Sequence, residues 1–215
     1  MNVQSSLRCN KGKKEILSVN YPRPEENTVN HSSPNHKDIK KVDTIKVLGT
    51  YVGYKSNNLQ SEKFRELIQG LKKTLNLWKL RKLTLLGKIQ IIKTFGISKF
   101  MYLFSSISIP IWVTNEIETT FYNFLWKGPD RIKRNVMIQD IDKGGLKMID
   151  LKSSIEAQQL MWIERIRREN SQIWFHVLTY YLKKHGGILF FNCNYDINKT
   201  LLNIPQFFKT VLETW

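Results

Sequence analysis

The stretch Phe64-Arg65-Glu66-Leu67-Ile68-Gln69-Gly70-Leu71-Lys72-Lys73-Thr74-Leu75-Asn76-Leu77-Trp78-Lys79 decides the fold class. Phe64, Leu67, Ile68, Leu71, Leu75 and Trp78 recur at steps of three and four, which predicts one buried stripe of a helix of roughly five turns. Beyond Glu66 no carboxylate side chain occurs until Glu116, yet Lys72, Lys73, Lys79, Arg81, Lys82, Lys88, Lys93 and Lys99 all lie in that interval. These eight charges equal half of the formal net +16 and sit among apolar-periodic residues. Solvated surfaces normally mix both signs, so one sign on ordered structure predicts a polyanionic partner. A nucleic-acid backbone fits that description best.

Helical rhythm continues toward the C-terminus. Leu85, Ile89, Ile92, Gly96, Phe100, Leu103 and Ile107 predict a second helix over about 83–108, ended by Pro110. A third is expected over about 114–127, with Glu116 and Glu118 in its first turn, Ile117, Phe121, Phe124 and Leu125 inward, and Gly128-Pro129 as its stop. Val136–Ile141 and Leu146–Ile149 flank Asp142-Lys143-Gly144-Gly145, a hairpin signal. Ser153-Ser154-Ile155-Glu156 has capping-box spacing and opens a helix to about Arg168. Two more helices, about 172–184 and from Pro205 onward, flank an aromatic, Asn-rich connection. No cap follows at Trp215, so the natural chain is expected to continue.

Toward the N-terminus, Glu15–Val19 reads as a short strand. Tyr21–Asn27 and His31–His36 then contribute three of the six prolines and many Asn and Ser, a loop or linker composition. Order is expected to resume at Asp43. Thr44–Tyr54 is β-branched and aromatic with Gly49 and Gly53 inside it, which suits a strand pair or a bent strand. The expected fold class is α+β, predominantly α-helical: a helical bundle with a small β part and one β-hairpin.

With 215 residues, 41% hydrophobic content, six Trp and eleven Phe, the chain can bury a sizeable core. Cys9 and Cys193 are too few for a disulfide framework or a Cys-rich zinc site, and fit a reducing compartment. The start Met1–Ser6 lacks the features of a secretory signal. The uncharged run Phe100–Val113 is shorter than the ~20 residues that cross a bilayer. An intracellular protein, nuclear or cytoplasmic and not secreted, is expected, without membrane association.

Catalytic constellations are weak. Asp140 and Asp142 would share a strand face as a hairpin-end pair. His31, His36, His176 and His185 have no metal-ligand spacing, no Gly-rich phosphate loop occurs, and no Gly-x-Ser-x-Gly is present. A binding module rather than an enzyme is expected, with no metal, no cofactor and no small-molecule ligand.

On a continuous second helix Lys88 and Lys99 fall within about 20° of each other, and Lys93 about 140° away. Adding Lys79, Arg81 and Lys82 at the junction of the first two helices predicts a ridge able to follow a duplex backbone. Trp78, Tyr102, Trp112, Trp126 and Trp162 each lie on or beside an apolar stripe, so core packing is expected of them rather than base stacking. Recognition of phosphate and sugar without sequence readout follows.

These residues also carry a resemblance. Lys46-Val47-Leu48-Gly49-Thr50-Tyr51-Val52-Gly53 resembles the strand leading from palm to thumb in reverse transcriptases of LINE-type, non-long-terminal-repeat retrotransposons. Trp78-Lys79-Leu80-Arg81-Lys82-Leu83-Thr84-Leu85-Leu86-Gly87-Lys88 is similar to that family's Trp-x-x-Arg-x-Leu-(Ser/Thr)-Leu-x-Gly-(Arg/Lys) pattern, and Lys93, Lys99, Tyr102 and Pro110 keep its register. Phe124-Leu125-Trp126-Lys127-Gly128 and Lys143–Leu151 resemble two later elements. Ser5–Glu15 resembles a palm segment, with Ser6 and Lys14 departing from its Gly and Thr.

The resemblance implies a palm remnant over 1–20, a linker over 21–42, palm-to-thumb strands over 43–58, a helical thumb over 59–130 and a post-thumb hairpin and helices, truncated, over 131–215. It further implies a parent RNA-directed DNA polymerase whose magnesium-binding aspartates stand in an aromatic-Ala-Asp-Asp turn ahead of residue 5. Such a turn is absent from these residues, so nucleic-acid binding without polymerisation is expected. Lys79, Arg81, Lys82, Lys88, Lys93 and Lys99 would then face the phosphates of a template–primer duplex. A helical scaffold protein derived from such an element, docking an acidic protein partner, is the alternative.

Overall fold

The computed structural model describes residues 15–17, 40–47, 49–53, 56–126, 128–168, 173–192 and 204–215. Of the palm-like segment only Glu15 falls among them. Most of the Pro-rich linker, Cys9, Cys193, His31, His36 and residues 193–203 of the Asn-rich connection lie outside the described residues. The chain divides into two compact units, residues 1–65 and 66–215.

In the first unit, β1 (Glu15–Leu17) pairs in parallel with β2 (Lys40–Val42), and β3 (Thr44–Val47) pairs antiparallel with β4 (Thr50–Gly53). β2 begins within the stretch read as linker, because Lys-Lys-Val is too short and too charged to announce a strand. Gly53 sits at φ 140°, and a Cβ there would come within 2.1 Å of the Asp43 carbonyl oxygen, so only glycine fits. Helix α1 (Ser56–Lys79) follows, and its Gln60 side chain accepts from the Tyr51 backbone N–H at 3.1 Å.

The second unit is helical. α1 contributes Ile68, Leu71 and Leu75, all essentially buried, to its core. The expected single helix over 83–108 is instead three pieces: α2 (Leu85–Ile91), a π-helical turn (Ile92–Gly96) and α3 (Met101–Ser106). Thr84 caps α2 by accepting from the Gly87 N–H at 3.2 Å, which gives the Thr84 and Gly87 positions of the Trp78–Lys88 motif a local purpose. At the π turn the Ile97 N–H reaches the Ile92 carbonyl at 3.0 Å, inserting one residue into the ladder. At Gly96 a Cβ would stand 2.9 Å from the buried Phe121 ring, so the close packing of the Phe121 helix against this turn requires glycine.

Helix α4 (Ile111–Leu125) starts directly after Pro110, so this proline opens α4, whereas the preceding helix has already ended at Ser106 with an extended Ile107; Glu116 lies beyond the first turn. Val113, Ile117, Phe121, Phe124 and Leu125 form its buried face. Each such side chain taken from water contributes about 1.5–3 kcal/mol before entropy is counted.

The hairpin expected over 136–149 is not formed. α5 (Arg134–Ile138) is a short helix, a 3-10 turn (Ile141–Lys143) follows, and Gly144 at φ 77° ends it. Three consecutive apolar residues at 136–138 do not impose a period of two, and burying Met137 alone satisfies the site. The segment after Gly145, which forms no strand, still bonds to the helical arm: Met137 O accepts from Leu146 N and Met148 N at 3.2 and 2.8 Å. Asp140 and Asp142 therefore share no strand face, and Asp140 pairs with Lys147 at 3.6 Å. The only antiparallel pair among the described residues is β3 with β4.

α6 (Leu151–Arg168) begins ahead of the expected Ser153 cap, because the Asp150 carboxylate accepts from the Lys152 N–H and the Ser153 hydroxyl. α7 (Ile173–Leu182), two 3-10 turns (Lys183–His185 and Gly187–Asn192) and α8 (Gln206–Thr214) complete the chain. Ile163, Ile166, Phe175, Leu178, Leu182, Val211 and Leu212 form one apolar cluster between them. No helix among the described residues is long and apolar enough to cross a membrane.

Candidate nucleic-acid interface

Lys79 is the last residue of α1, and the chain continues through Leu80, Arg81 and Lys82 before Thr84 starts α2. All four residues from Lys79 to Lys82 are exposed. Lys79 and Lys82 have no hydrogen-bond or ion-pair partner among the described residues. The backbone is nonetheless held, with Arg81 N donating to Trp78 O at 3.1 Å and Leu83 N to Arg81 O at 2.9 Å. Charge is thus presented from an ordered turn.

Lys79 also borders a cleft of about 200 Å³ between α1 and α4, with Lys72, Asn76 and Asn123 on its rim and Leu75 and Phe124 on its floor. Lys72 is engaged there by Glu116 at 2.8 Å, with both side chains well exposed. The cleft keeps Lys79 and two side-chain amides as donors.

Arg81 lies against an aromatic column. Its guanidinium carbon is 5.1 Å from the Trp78 ring centroid, and Trp78 in turn stacks on Phe95 at 5.5 Å with 28° between the planes. The exposed Phe95 comes from the π turn.

The remaining expected contacts divide. Lys88 turns inward, and its ammonium donates at 2.8 Å to the Leu125 carbonyl, at the C-terminal end of α4 and 6.0 Å from the Phe124 ring. A cation there meets the negative end of the helix dipole, a structural position. Lys99 lies across the other flank of α1, donating to Thr74 Oγ1 at 2.6 Å and to the Gly70 carbonyl at 3.5 Å. The expected shared stripe of Lys88 and Lys99 is not realised, because the inserted π residue and the break at 97–100 rotate the downstream turn. Lys93 is half-buried and has no partner among the described residues.

The aromatic expectations also divide. Trp162 is half-buried, and its indole N–H donates to Ser105 O at 2.6 Å. Trp126 is half-buried. Tyr102 and Trp112 are exposed, and Trp78 is a half-buried member of the surface column rather than of the core.

One acidic cluster neighbours the unit's core. Arg134 stacks over Tyr122 at 4.1 Å and pairs with Asp130 at 3.0 Å and Glu118 at 4.0 Å. Burial raises the Glu118 pKa, with Arg134 opposing and Asp150 reinforcing the shift. Burial likewise raises that of Tyr122. Among the described residues no three His, Cys, Asp or Glu side chains are grouped to hold a metal ion.

Sequence reasoning counted Lys72 among the uncompensated cations without placing it at this cleft, and missed Asn123 and Phe95 as parts of this surface. Lys72 and Asn123 depend on which helix faces α1. Phe95 carried a faint signal as an aromatic residue off the apolar stripe beside Gly96. No protein-family model matches the chain.

Proposed function

We propose that the helical unit binds the backbone of a nucleic-acid duplex or hybrid, as the thumb of a LINE-type retrotransposon reverse transcriptase would hold template–primer. The observation that carries this reading is the ordered run Lys79–Arg81–Lys82, exposed and without an acidic neighbour in sequence from Leu67 to Asn115. Phosphates neutralised there release condensed counterions, a gain indifferent to base sequence. Lys79 and the amides of Asn76 and Asn123 offer a further donor set along the cleft. The sequence resemblance points the same way. Nucleotide addition itself, which the resemblance assigns to palm aspartates and magnesium, is not part of the role proposed for these residues.

Removing charge at Lys79, Arg81 and Lys82 together, as K79Q/R81Q/K82Q, is expected to weaken binding of duplex DNA at low salt at least tenfold while thermal unfolding is unchanged. Unaltered affinity would reject the reading. If an acidic polypeptide displaces nucleic acid and binds more tightly, the basic face serves a protein partner instead.

A further inference from the structure

We propose that the column Phe95–Trp78–Arg81 seats one unpaired nucleobase, so that the ligand of the basic face is a duplex carrying a single-stranded overhang. This inference rests on the nucleic-acid reading above and adds a seat for a single base. Three observations converge on it. The first is geometric: the Phe95 ring stacks on Trp78 at 5.5 Å with 28° between the planes, and the Arg81 guanidinium carbon lies 5.1 Å from the Trp78 ring centroid, so two aromatic rings and a cation are gathered at one place. The second is exposure: Phe95 is 42% exposed, and the neighbouring Leu77 and Leu80 are 69% and 84% exposed. Apolar area of this kind on a charged surface marks a contact site.

The third is the charge around it. Lys73 precedes Leu77 by one turn of α1, Lys82 follows Arg81, and Lys99 rests on Thr74, one turn before Trp78. Whatever covers the column must be flat and apolar in its centre and anionic at its edge. A nucleobase on its sugar–phosphate has that form, and an aromatic side chain can stack on any base without reading its identity. A lipid bilayer would match a broad apolar face better than a narrow column with a guanidinium inside it.

The test uses the 215-residue chain and fluorescein-labelled DNA of one duplex length in three forms: blunt, with a short overhang, and with the same overhang made abasic. The abasic form keeps every phosphate. The expected result is tighter binding of the base-bearing overhang than of the abasic one, by about tenfold. Phe95→Ala should erase that difference between the two overhangs, while Phe95→Tyr should restore it. Equal affinity for the two overhangs overturns the base seat but leaves backbone binding intact. Failure of all three DNAs to bind, or sedimentation with phosphatidylserine vesicles in their place, overturns the seat together with the reading beneath it.

Discussion

Lys88→Met separates holding the fold from holding a ligand. Methionine keeps the length of the stem and a similar helix propensity, so the main loss is the ammonium bonded to the Leu125 carbonyl at 2.8 Å. A hydrogen bond from a charged donor contributes about 1.5–3 kcal/mol, and partial solvent access at this half-buried site reduces that to about 1–2 kcal/mol. For a chain of this size the melting temperature should fall by roughly 2–8 °C. Urea unfolding followed by circular dichroism gives the stability, and an unchanged m-value would confirm that the folded state is otherwise intact. Duplex affinity, measured by anisotropy at fixed salt, should change less than about twofold, because this cation is already engaged by the Leu125 carbonyl. The reasoning fails if stability is untouched and affinity drops about fivefold or more, since Lys88 would then be a phosphate contact.

Three further outcomes are expected. Gly96→Ala gains about 1 kcal/mol of helix propensity but drives a methyl into the buried Phe121 ring, at about 1–3 kcal/mol, for a net loss near 1 kcal/mol. Phe121→Leu in the same chain should relieve that clash, and a double-mutant cycle showing coupling below about 0.5 kcal/mol would contradict the packing described. Glu118 has its pKa raised chiefly by burial, so the folded state holds its proton more firmly than the unfolded chain does. Its ionisation penalty is absent below the ordinary value of 4.5 and present above the raised one, so stability attributable to Glu118 falls as pH rises through that window. Glu118→Gln should therefore gain on the parent between about pH 4 and pH 7 in urea midpoint, and a relative loss over that range would reverse the sign argued.

The helices that build the second unit were legible because their apolar stripes are long. Ile68 to Leu75 and Ile117 to Leu125 repeat at helical spacing, and the core of that unit takes them nearly as read. Breaks were harder to read. Nothing local in Ile92–Gly96 announces a π turn. The same break separated Lys88 from Lys99, which angular arithmetic on a regular helix had placed together. Val136–Ile138 misled for a different reason: a short apolar run fits helix or strand, and the contacts of Met137 decided between them. At the candidate interface the charges were visible in sequence, whereas their division into free, pinned and paired groups depended on carbonyls and carboxylates of distant helices.

The salt dependence of duplex binding tests the central claim most directly. Parent chain and K79Q/R81Q/K82Q should be titrated with one labelled duplex over a range of salt, and log affinity plotted against log salt concentration. Each phosphate contact adds about 0.9 to the magnitude of the slope, so losing the three cations should reduce it by roughly 2–3. A steep parent line and a shallower variant line are the predicted result. Parallel lines, or a parent affinity that ignores salt, would contradict phosphate recognition by the α1–α2 connection.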